Sequence, residues 1–335
     1  MAYTAIDNPE LYFQVKLYTG DGSTQSITLD GDEDMQPDMV WIKNRGGADG
    51  HNLFDAVRGA TKRLRPNDET DENIGADTLT SFDSDGFSLG ADTTGDGVNI
   101  SGYTPVAWCW EESATSGTDI VTFTGTGGTQ NISHSLSAVP EMIICKSRSA
   151  AGAWYTYHAG VASDAETDFL KLNENEATAD NATVWNDTAP TTSVFTVGSA
   201  FDNTTTFVAY AFASKQGFSK FGGYTGNGNA DGPFIYTGFR PAWIMYKPSS
   251  AVDNWEIIDI KRTNAQLGNP KDELLYANLN NAEGTDQTDR LDILSNGFKM
   301  RTGNNDYNGD GTSYIYMAFA EQPFVNSEGV PCNAR

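Results

Sequence analysis

The sequence has few of the side chains on which most catalytic and metal sites depend. Its 335 residues include only three histidines and three cysteines. Cys109, Cys145 and Cys332 are far apart and follow no metal-ligand spacing, so we expect buried free thiols rather than a disulfide or a metal site. Walker, nucleophile-elbow and dinucleotide-binding motifs do not occur in the sequence. These absences argue against most hydrolase and metalloenzyme schemes, and we predict no catalytic residues and no enzymatic activity.

Basic residues are also scarce. The chain carries 21 Lys and Arg against 45 Asp and Glu, which gives a net charge of −24. Nucleic acids and anionic lipids both require a basic surface on the protein, so neither is expected as a partner. No apolar run approaches the roughly 18 residues that indicate a membrane span, and the N-terminus lacks the basic and apolar regions of a secretory signal. We therefore expect no membrane insertion.

What the sequence does contain is a pattern that occurs three times. The motif (Tyr/Phe)-Thr-Gly-x-Gly recurs at intervals of about 100 residues, with its threonine at Thr19, Thr124 and Thr225. A proline, a short apolar run and a lysine recur at similar intervals, and the lysines are Lys43, Lys146 and Lys247. We predict three homologous units: unit 1 (16–113), unit 2 (119–216) and unit 3 (218–323). A short N-terminal arm (1–15) precedes them and a C-terminal tail (324–335) follows.

Each unit has the composition of β structure. Its apolar runs last about 5–7 residues, are rich in Val, Ile, Tyr, Trp and Phe, and are separated by Gly, Asn, Asp and Ser. Val106, Trp108 and Trp110 alternate with Ala107 and Cys109, which indicates a strand covered on both faces. We predict an all-β fold of three tandem β-sandwich or jelly-roll-like modules, each folded around a core of its own.

Local signals add two expectations. The dipeptides Asp85-Gly86 and Asn296-Gly297 predict hairpin turns, because both tolerate positive φ angles. Short helices are expected only at 162–171 and 271–278. The sequence does not determine the strand order within a unit.

Equivalent positions of the three units carry residues that invite a catalytic interpretation. Eight residues after the lysines stand His51, Trp154 and Trp255, and four further on stand Asp55, His158 and Asp259. The last three would form one triad only if the units met around an axis. The simpler interpretation is a polar position at the edge of a strand, whose residue has changed between the units. Arg58 and Arg262 follow the two aspartates by three residues. We expect local Asp–Arg ion pairs in units 1 and 3, lost together in unit 2.

The sequence also suggests a calcium site, aromatic stacking positions and carboxylate pairs. Asp306, Asn308 and Asp310 alternate as in the first half of a calcium loop, but the later glutamate is missing, so a weak Ca²⁺ site competes with a solvated turn. Trp154, Trp185 and Trp255 near predicted loops suggest stacking on sugars or on a partner, with a core or rim role as the alternative. Among 45 acidic residues no carboxylate pair stands out as that of a glycosidase. No other cofactor is expected.

Five motifs of unit 1 point to a family. They are Tyr18-Thr-Gly-Asp-Gly22, Pro37-Asp-Met-Val-Trp-Ile-Lys-Asn44, Asn52-Leu-Phe-Asp-Ala-Val-Arg-Gly59, Ser81-Phe-Asp-Ser-Asp-Gly-Phe87 and Val106-Ala-Trp-Cys-Trp110. This pattern resembles a repeated β-domain of virion proteins from marine tailed bacteriophages. Unit 3 is recognisable through Trp243-Ile-Met-Tyr-Lys247, whereas unit 2 departs most from the pattern. The resemblance implies a structural role at the surface of a phage particle, with other virion proteins as partners, and supplies no catalytic residues.

The N-terminal arm is a candidate anchor to such a particle. Ile6, Leu11, Tyr12 and Phe13 are apolar and precede the first unit, so we expect them to be exposed until the arm docks.

The leading functional hypothesis is a tail-fibre or adhesin-like protein. A capsid decoration or head-fibre protein ranks nearly equal, because three units in one chain would mimic a trimer and no fibrous heptads occur. From another class, a glycan-binding lectin or a polysaccharide depolymerase acting on host surface glycans is the alternative.

Overall fold

Antiparallel strands make up nearly all of the secondary structure, which confirms the predicted all-β fold class. The computed structural model describes residues 2–262, 268–269, 271–285 and 290–332, so residue 1 of the arm and 333–335 of the tail lie outside the described residues. Two four-residue α-helices, α1 (Ala182–Trp185) and α2 (Asn305–Asn308), and two 3-10 turns, Pro9–Leu11 and Ala165–Thr167, complete the described elements. Within the described ranges no helix has the length and apolar character to cross a membrane.

Unit 1 has two layers of strands. They are β1 (Phe13–Leu17), β2 (Gln25–Thr28), β3 (Met39–Asn44), β4 (Asn52–Asp55), β5 (Lys62–Arg63), β6 (Asn73–Ile74), β7 (Leu79–Asp83), β8 (Gly86–Leu89) and β9 (Pro105–Trp110). The inner sheet has the order β1-β9-β3-β4, and the outer sheet has the order β2-β8-β7. A single bridge between Leu53 and Leu64 connects β4 to the end of β5, which pairs with β6.

Unit 2 repeats the inner sheet and has a smaller outer sheet. Its strands are β10 (Thr118–Thr124), β11 (Gln130–Ser133), β12 (Met142–Ser147), β13 (Tyr155–His158), β14 (Asp168–Lys171), β15 (Ala179–Asp180), β16 (Val194–Val197) and β17 (Thr206–Phe212). The inner sheet has the order β10-β17-β12-β13-β14-β15, and β11 and β16 form the outer sheet.

Unit 3 follows the same scheme. Its strands are β18 (Ser219–Thr225), β19 (Phe234–Tyr236), β20 (Phe239–Pro248), β21 (Glu256–Asp259), β22 (Glu273–Tyr276), β23 (Gly284–Thr285), β24 (Leu291–Leu294), β25 (Gly297–Met300) and β26 (Ser313–Pro323). The inner sheet has the order β18-β26-β20-β21-β22-β23, and the outer sheet has the order β19-β25-β24. In each unit the first strand therefore pairs with the last, and the last with the strand that carries the repeated lysine. Descent of the units from one ancestral module stays a prediction.

The cores are not separate, which corrects the expectation that each unit folds only around its own interior. Ala107 and Cys109 of β9 point to a cluster inside unit 1, beneath its outer sheet. Val106, Trp108 and Trp110 point the other way and join one apolar cluster with residues of all three units. Unit 2 divides its inner sheet in the same manner between a local cluster and the shared one. The inner sheets are thus covered on both faces because three of them pack against each other.

Neither of the two segments expected as helices forms an α-helix. The range 162–171 holds one 3-10 turn and β14, and 271–278 contains β22. Leu170 pairs with Thr156, and Leu275 pairs with Ile257, which places both leucines in the shared apolar cluster. Burial through pairing with a neighbouring strand outweighs the local helix propensity of these segments.

Candidate functional site: the junctions between the units

The three inner sheets meet around a common axis lined by aromatic rings. Trp110, Phe212 and Phe319 occupy the same position of the last strands β9, β17 and β26. The ring of Phe319 lies 5.8 Å from that of Trp110 and 6.3 Å from that of Phe212, both edge to face. A cavity of about 20 Å³ remains beside these rings, with walls of apolar side chains from all three units. It has neither the room nor the polar groups to hold a ligand of metabolite size.

Equivalent side chains form a hydrogen bond across each junction between units. The bonds run from His51 Nε2 to Tyr276 O (2.9 Å), from Trp154 Nε1 to Arg65 O (3.0 Å) and from Trp255 Nε1 to Lys171 O (2.9 Å). His51 Nδ1 accepts a hydrogen bond from Trp41 Nε1 at 2.7 Å, so Nε2 carries the proton. The three positions that recur in the sequence are therefore junction residues.

A second set of equivalent bonds involves the backbone. The amides of Glu72, Thr178 and Glu283 donate to the carbonyl oxygens of Arg148, Ser249 and Arg45 at 3.0, 2.8 and 2.8 Å. The first bond joins unit 1 to unit 2, the second joins unit 2 to unit 3, and the third joins unit 3 to unit 1. Because the same positions form each junction in turn, the units close into a ring with approximate threefold symmetry.

Asp55 and Arg58 form a buried ion pair at the junction of units 1 and 2. Arg58 Nε lies 2.5 Å from Asp55 Oδ2, and both side chains are fully buried. The hydroxyl of Tyr210, in unit 2, donates to the same carboxylate oxygen at 2.7 Å. Glu72 binds Arg58 at 3.1 Å and Arg148 of unit 2 at 2.8 Å. The expected local pair is present, and it also connects two units.

The junction of units 3 and 1 has the same construction. Arg262 Nε lies 2.5 Å from Asp259 Oδ2, and Trp108 Nε1 of unit 1 donates to that oxygen at 2.9 Å. Glu283 takes the place of Glu72, with Arg262 at 3.0 Å and Arg45 of unit 1 at 3.0 Å. Asp55 and Asp259 thus belong to two separate junctions.

The junction of units 2 and 3 lacks this network. His158 takes the place of the aspartate, and Val161 and Thr178 stand at the positions of the arginine and the glutamate. His158 Nε2 lies 3.0 Å from the carbonyl oxygen of Tyr316 in unit 3, and Gly160 N donates to Nδ1 at 3.0 Å. Asp55, His158 and Asp259 therefore form no catalytic triad, although the units do meet around an axis.

The repeated lysines are buried at the same junctions. Lys146 Nζ donates to Gly152 O at 2.9 Å and across the junction to Glu69 O at 3.0 Å. Lys247 Nζ bonds in the same way to Asp253 O and to Asn175 O of unit 2. Lys43 bonds within its own unit, to the carbonyl oxygens of Asn44 and Gly47. Burial lowers the pKa of each lysine to about 8.

The arm residues are packed against their own chain, which corrects the expectation that they are exposed. Ile6 and Phe13 are only 3% and 2% exposed and belong to the shared apolar cluster. Phe13 stacks on Phe319 at 5.1 Å, and Tyr12 packs edge to face on Phe218 at 5.8 Å, whereas Leu11 is half-buried. The arm covers apolar surface where unit 3 meets unit 1, and a role of these residues in anchoring the chain to a particle stays a prediction.

The three candidate calcium ligands differ in their surroundings. Asn308 is fully buried, its Oδ1 accepts from Asn227 N at 2.8 Å, and its Nδ2 donates to Thr302 O at 2.8 Å. Burial and the neighbouring Asp253 raise the pKa of Asp306 to about 6, while Asp310 is exposed. Within the described ranges no cluster of three or more His, Cys, Asp or Glu side chains is placed to hold a metal.

The tryptophans and cysteines also prove to be mostly interior residues. Trp154, Trp185 and Trp255 are buried, so the core role is correct and stacking on an external sugar is not available to them. Cys109 and Cys145 are buried free thiols as expected, whereas Cys332 is free but exposed.

Sequence reasoning missed two features of unit 3. Glu256 is buried within hydrogen-bond reach of the Tyr246 hydroxyl (2.5 Å), and burial raises its pKa to about 8. Phe234 and Tyr236 of β19 are exposed, at 45% and 47%. No repeated motif marks either feature, although comparison of β19 with β2 and β11 would have revealed the two aromatic residues.

Comparison with known families gives one match. A family model described as a domain of unknown function (DUF7483) matches residues 8–323, which include the arm from Asn8 and all three units. A search of the curated proteins finds no match.

Proposed function

We propose, on the premise that this chain belongs to the DUF7483 family, that it is a non-enzymatic structural protein displayed on the surface of a bacteriophage particle. The observation that carries the proposal is the closed ring of three similar units within one chain. Such a ring presents nearly the same surface three times around an axis, as a homotrimer does. The link to phages rests on the motif resemblance of unit 1.

The use of the buried polar groups supports a structural role. The aspartates that recur in the sequence bind a buried arginine and accept a hydrogen bond from a neighbouring unit, and His158, Trp154 and Lys146 also bond across a junction. A catalytic acid, base or nucleophile must face a substrate, whereas these groups face other units. The strongly acidic composition keeps such a protein soluble and disfavours non-specific adhesion.

The ring favours a place on a threefold position of the capsid shell, as a decoration or head-fibre protein. Three similar units around one axis match three similar subunits of a shell. A tail-fibre or adhesin-like role is the second candidate, and the exposed aromatic pair of β19 is the observation that favours it.

Electron microscopy of intact particles labelled with an antibody fragment against unit 3 tests the proposal. Label spread over the shell is expected, and a subtomogram average should place it near threefold positions. Label confined to the tail would favour the second candidate. Particles that lack the protein by mass spectrometry would contradict the virion role altogether, and release of reducing ends from host polysaccharide would contradict the non-enzymatic role.

A further inference from the structure

The outer sheet of unit 3 has an aromatic surface that the other two units lack. In β19 the exposed, buried and exposed residues are Phe234, Ile235 and Tyr236, so both rings project from the solvent face of one strand. Unit 1 has Ser26 and Thr28 at these positions of β2, and unit 2 has Asn131 and Ser133 in β11, all of them exposed. The three units share the strand and its pattern of burial, but only unit 3 has aromatic rings at the two exposed positions.

Two ion pairs flank the rings on the same face. Phe234 pairs across the sheet with Lys299, which pairs with Asp292 of β24. Lys299 Nζ lies 2.6 Å from Asp231, and Arg301 Nε lies 3.5 Å from Asp292. These residues and the two rings are defined as the β19 platform. It carries paired charges of both signs in a molecule whose net charge is −24.

The Tyr236 ring is held in place from two sides. Its hydroxyl lies 3.1 Å from the hydroxyl of Tyr3, and Lys220 Nζ lies 5.6 Å from the ring centroid. Phe234 lies over Gly297, because a Cβ at that glycine would stand 3.1 Å from Phe234 Cε2. The Cα atoms that carry the two exposed rings are about 7 Å apart along one strand, and the contacts that hold the rings lower the entropic cost of binding a flat ligand.

We propose that the β19 platform binds a neutral glycan. Flat aromatic rings pack against the apolar faces of sugar rings, and hydroxyl groups find both donors and acceptors in the flanking Lys–Asp and Arg–Asp pairs. A polyanion would meet the long-range repulsion of the acidic chain, whereas a neutral sugar would not. The inference does not depend on the virion role, since it concerns one surface of unit 3 alone.

The test measures binding of the full chain to neutral hexasaccharides of glucose, mannose and xylose by isothermal titration calorimetry. Binding to at least one of them is expected. The double variant Phe234→Ser/Tyr236→Thr, which installs the residues of unit 1, is expected to weaken binding on the order of tenfold or more. The variant Ile74→Ser removes an even more exposed apolar side chain, in unit 1, and is expected to bind as the parent does.

Two measurements distinguish sugar stacking from a purely structural role of the rings and from self-association of the chain. Phe234→Leu keeps an apolar cover over Gly297 but removes the flat ring, so it should retain the parent melting temperature and still lose affinity. Absence of binding to every hexasaccharide, or equal binding by the double variant, would overturn the proposal. So would a parent chain that self-associates in sedimentation velocity while the double variant is monomeric, because the platform would then be a protein contact.

Discussion

At the scale of single residues, the junctions show how burial turns a polar position into a structural one. A buried arginine requires a carboxylate partner, because an uncompensated charge in the interior is strongly unfavourable. Asp55 and Asp259 meet this need for Arg58 and Arg262, and each takes a further hydrogen bond from a neighbouring unit. Unit 2 has neither the aspartate nor the arginine. This joint loss is expected, because either charged side chain would be buried without its partner.

Removal of one member of such a pair should therefore lower the free energy of unfolding more than removal of both members does. We expect Asp55→Ala to lower the free energy of unfolding by about 3 kcal/mol, since it leaves Arg58 buried with Glu72 alone. Arg58→Val introduces the residue that unit 2 has at this position. It should lower the free energy of unfolding clearly less in the Asp55→Ala variant than in the parent. Urea denaturation of the four chains gives the coupling energy. Additive losses of free energy would contradict the interpretation. Asp30→Ala is the control, because this exposed carboxylate lies 3.7 Å from both Lys16 and Lys261 and leaves no buried charge behind.

The two junction histidines make the ring sensitive to acid. Burial lowers the pKa of His51 to about 3 and that of His158 to about 4, from 6.5. Nδ1 of each histidine accepts a hydrogen bond from an N–H group. Protonation of Nδ1 would break that bond, because two N–H donors would then face each other. Below pH 6.5 the unfolded chain binds protons that the folded chain does not. The free energy of unfolding should therefore fall by about 1.4 kcal/mol per pH unit for each histidine as the pH drops from 6.5 towards 4.

Denaturation with urea at several pH values, followed by tryptophan fluorescence, measures this slope. His158→Gln keeps a hydrogen-bond donor and an acceptor at the junction. It should reduce the dependence of the free energy of unfolding on pH by about 1.4 kcal/mol per pH unit, the contribution of one histidine. His134→Gln, which replaces a histidine that bonds only within unit 2, is the control for the substitution itself. An identical slope in the parent and in His158→Gln would show that another group controls the acid response.

At the scale of elements, the (Tyr/Phe)-Thr-Gly-x-Gly motif is explained by close packing of the backbone. A Cβ on Gly20, Gly125 or Gly226 would lie far inside van der Waals distance of a carbonyl oxygen, that of Ile100, Asp202 or Gly309. The second glycine of each motif has a positive φ, of 72°, 71° and 64° in units 1, 2 and 3. Both glycines are therefore required by the turn after the first strand, and the motif marks a fold rather than a ligand site.

Substitution of the first glycine tests this explanation. Gly226→Ala should lower the free energy of unfolding by about 1–3 kcal/mol, because the new methyl group must displace backbone rather than a flexible side chain. Gly128→Ala is the matched control, since open space surrounds that position and its φ is not in the left-handed region. The urea midpoint of each variant measures the effect, and similar midpoints for the two variants would rule out the packing argument.

Local patterns predicted the elements better than the contacts between them. The hairpins at Asp85-Gly86 and Asn296-Gly297 are present, with Gly86 and Gly297 as the first residues of the returning strands β8 and β25. The alternation in β9 correctly indicated two covered faces. What covers the second face could not be predicted, because strand periodicity reports burial without identifying the partner.

At the scale of the whole molecule, the same limitation explains why contacts between units could not be predicted from the sequence. The positions His51, Trp154 and Trp255 were found by their spacing, but their bonds go to other units and depend on the ring. The arm shows the same effect. Its apolar residues look exposed only if unit 3 is placed far from unit 1, whereas Phe13 stacks on Phe319 and Asp7 bonds to the Ser327 amide at 2.6 Å. Closure of the ring is the single fact from which these contacts follow.

Separation of one unit from the ring distinguishes shared from separate cores. Unit 2 has the best chance of folding alone, because it has a local cluster of its own. However, its inner face would expose Ile144, Tyr210 and Phe212, and apolar patches of this kind cause association. We therefore expect residues 119–216 expressed alone to aggregate or to form trimers that rebuild the axis, while the full chain stays monomeric under the same conditions. Size-exclusion chromatography with light scattering measures the mass. A soluble monomer that unfolds cooperatively would show that the shared core adds little, and the argument for a ring-shaped structural protein would fail with it.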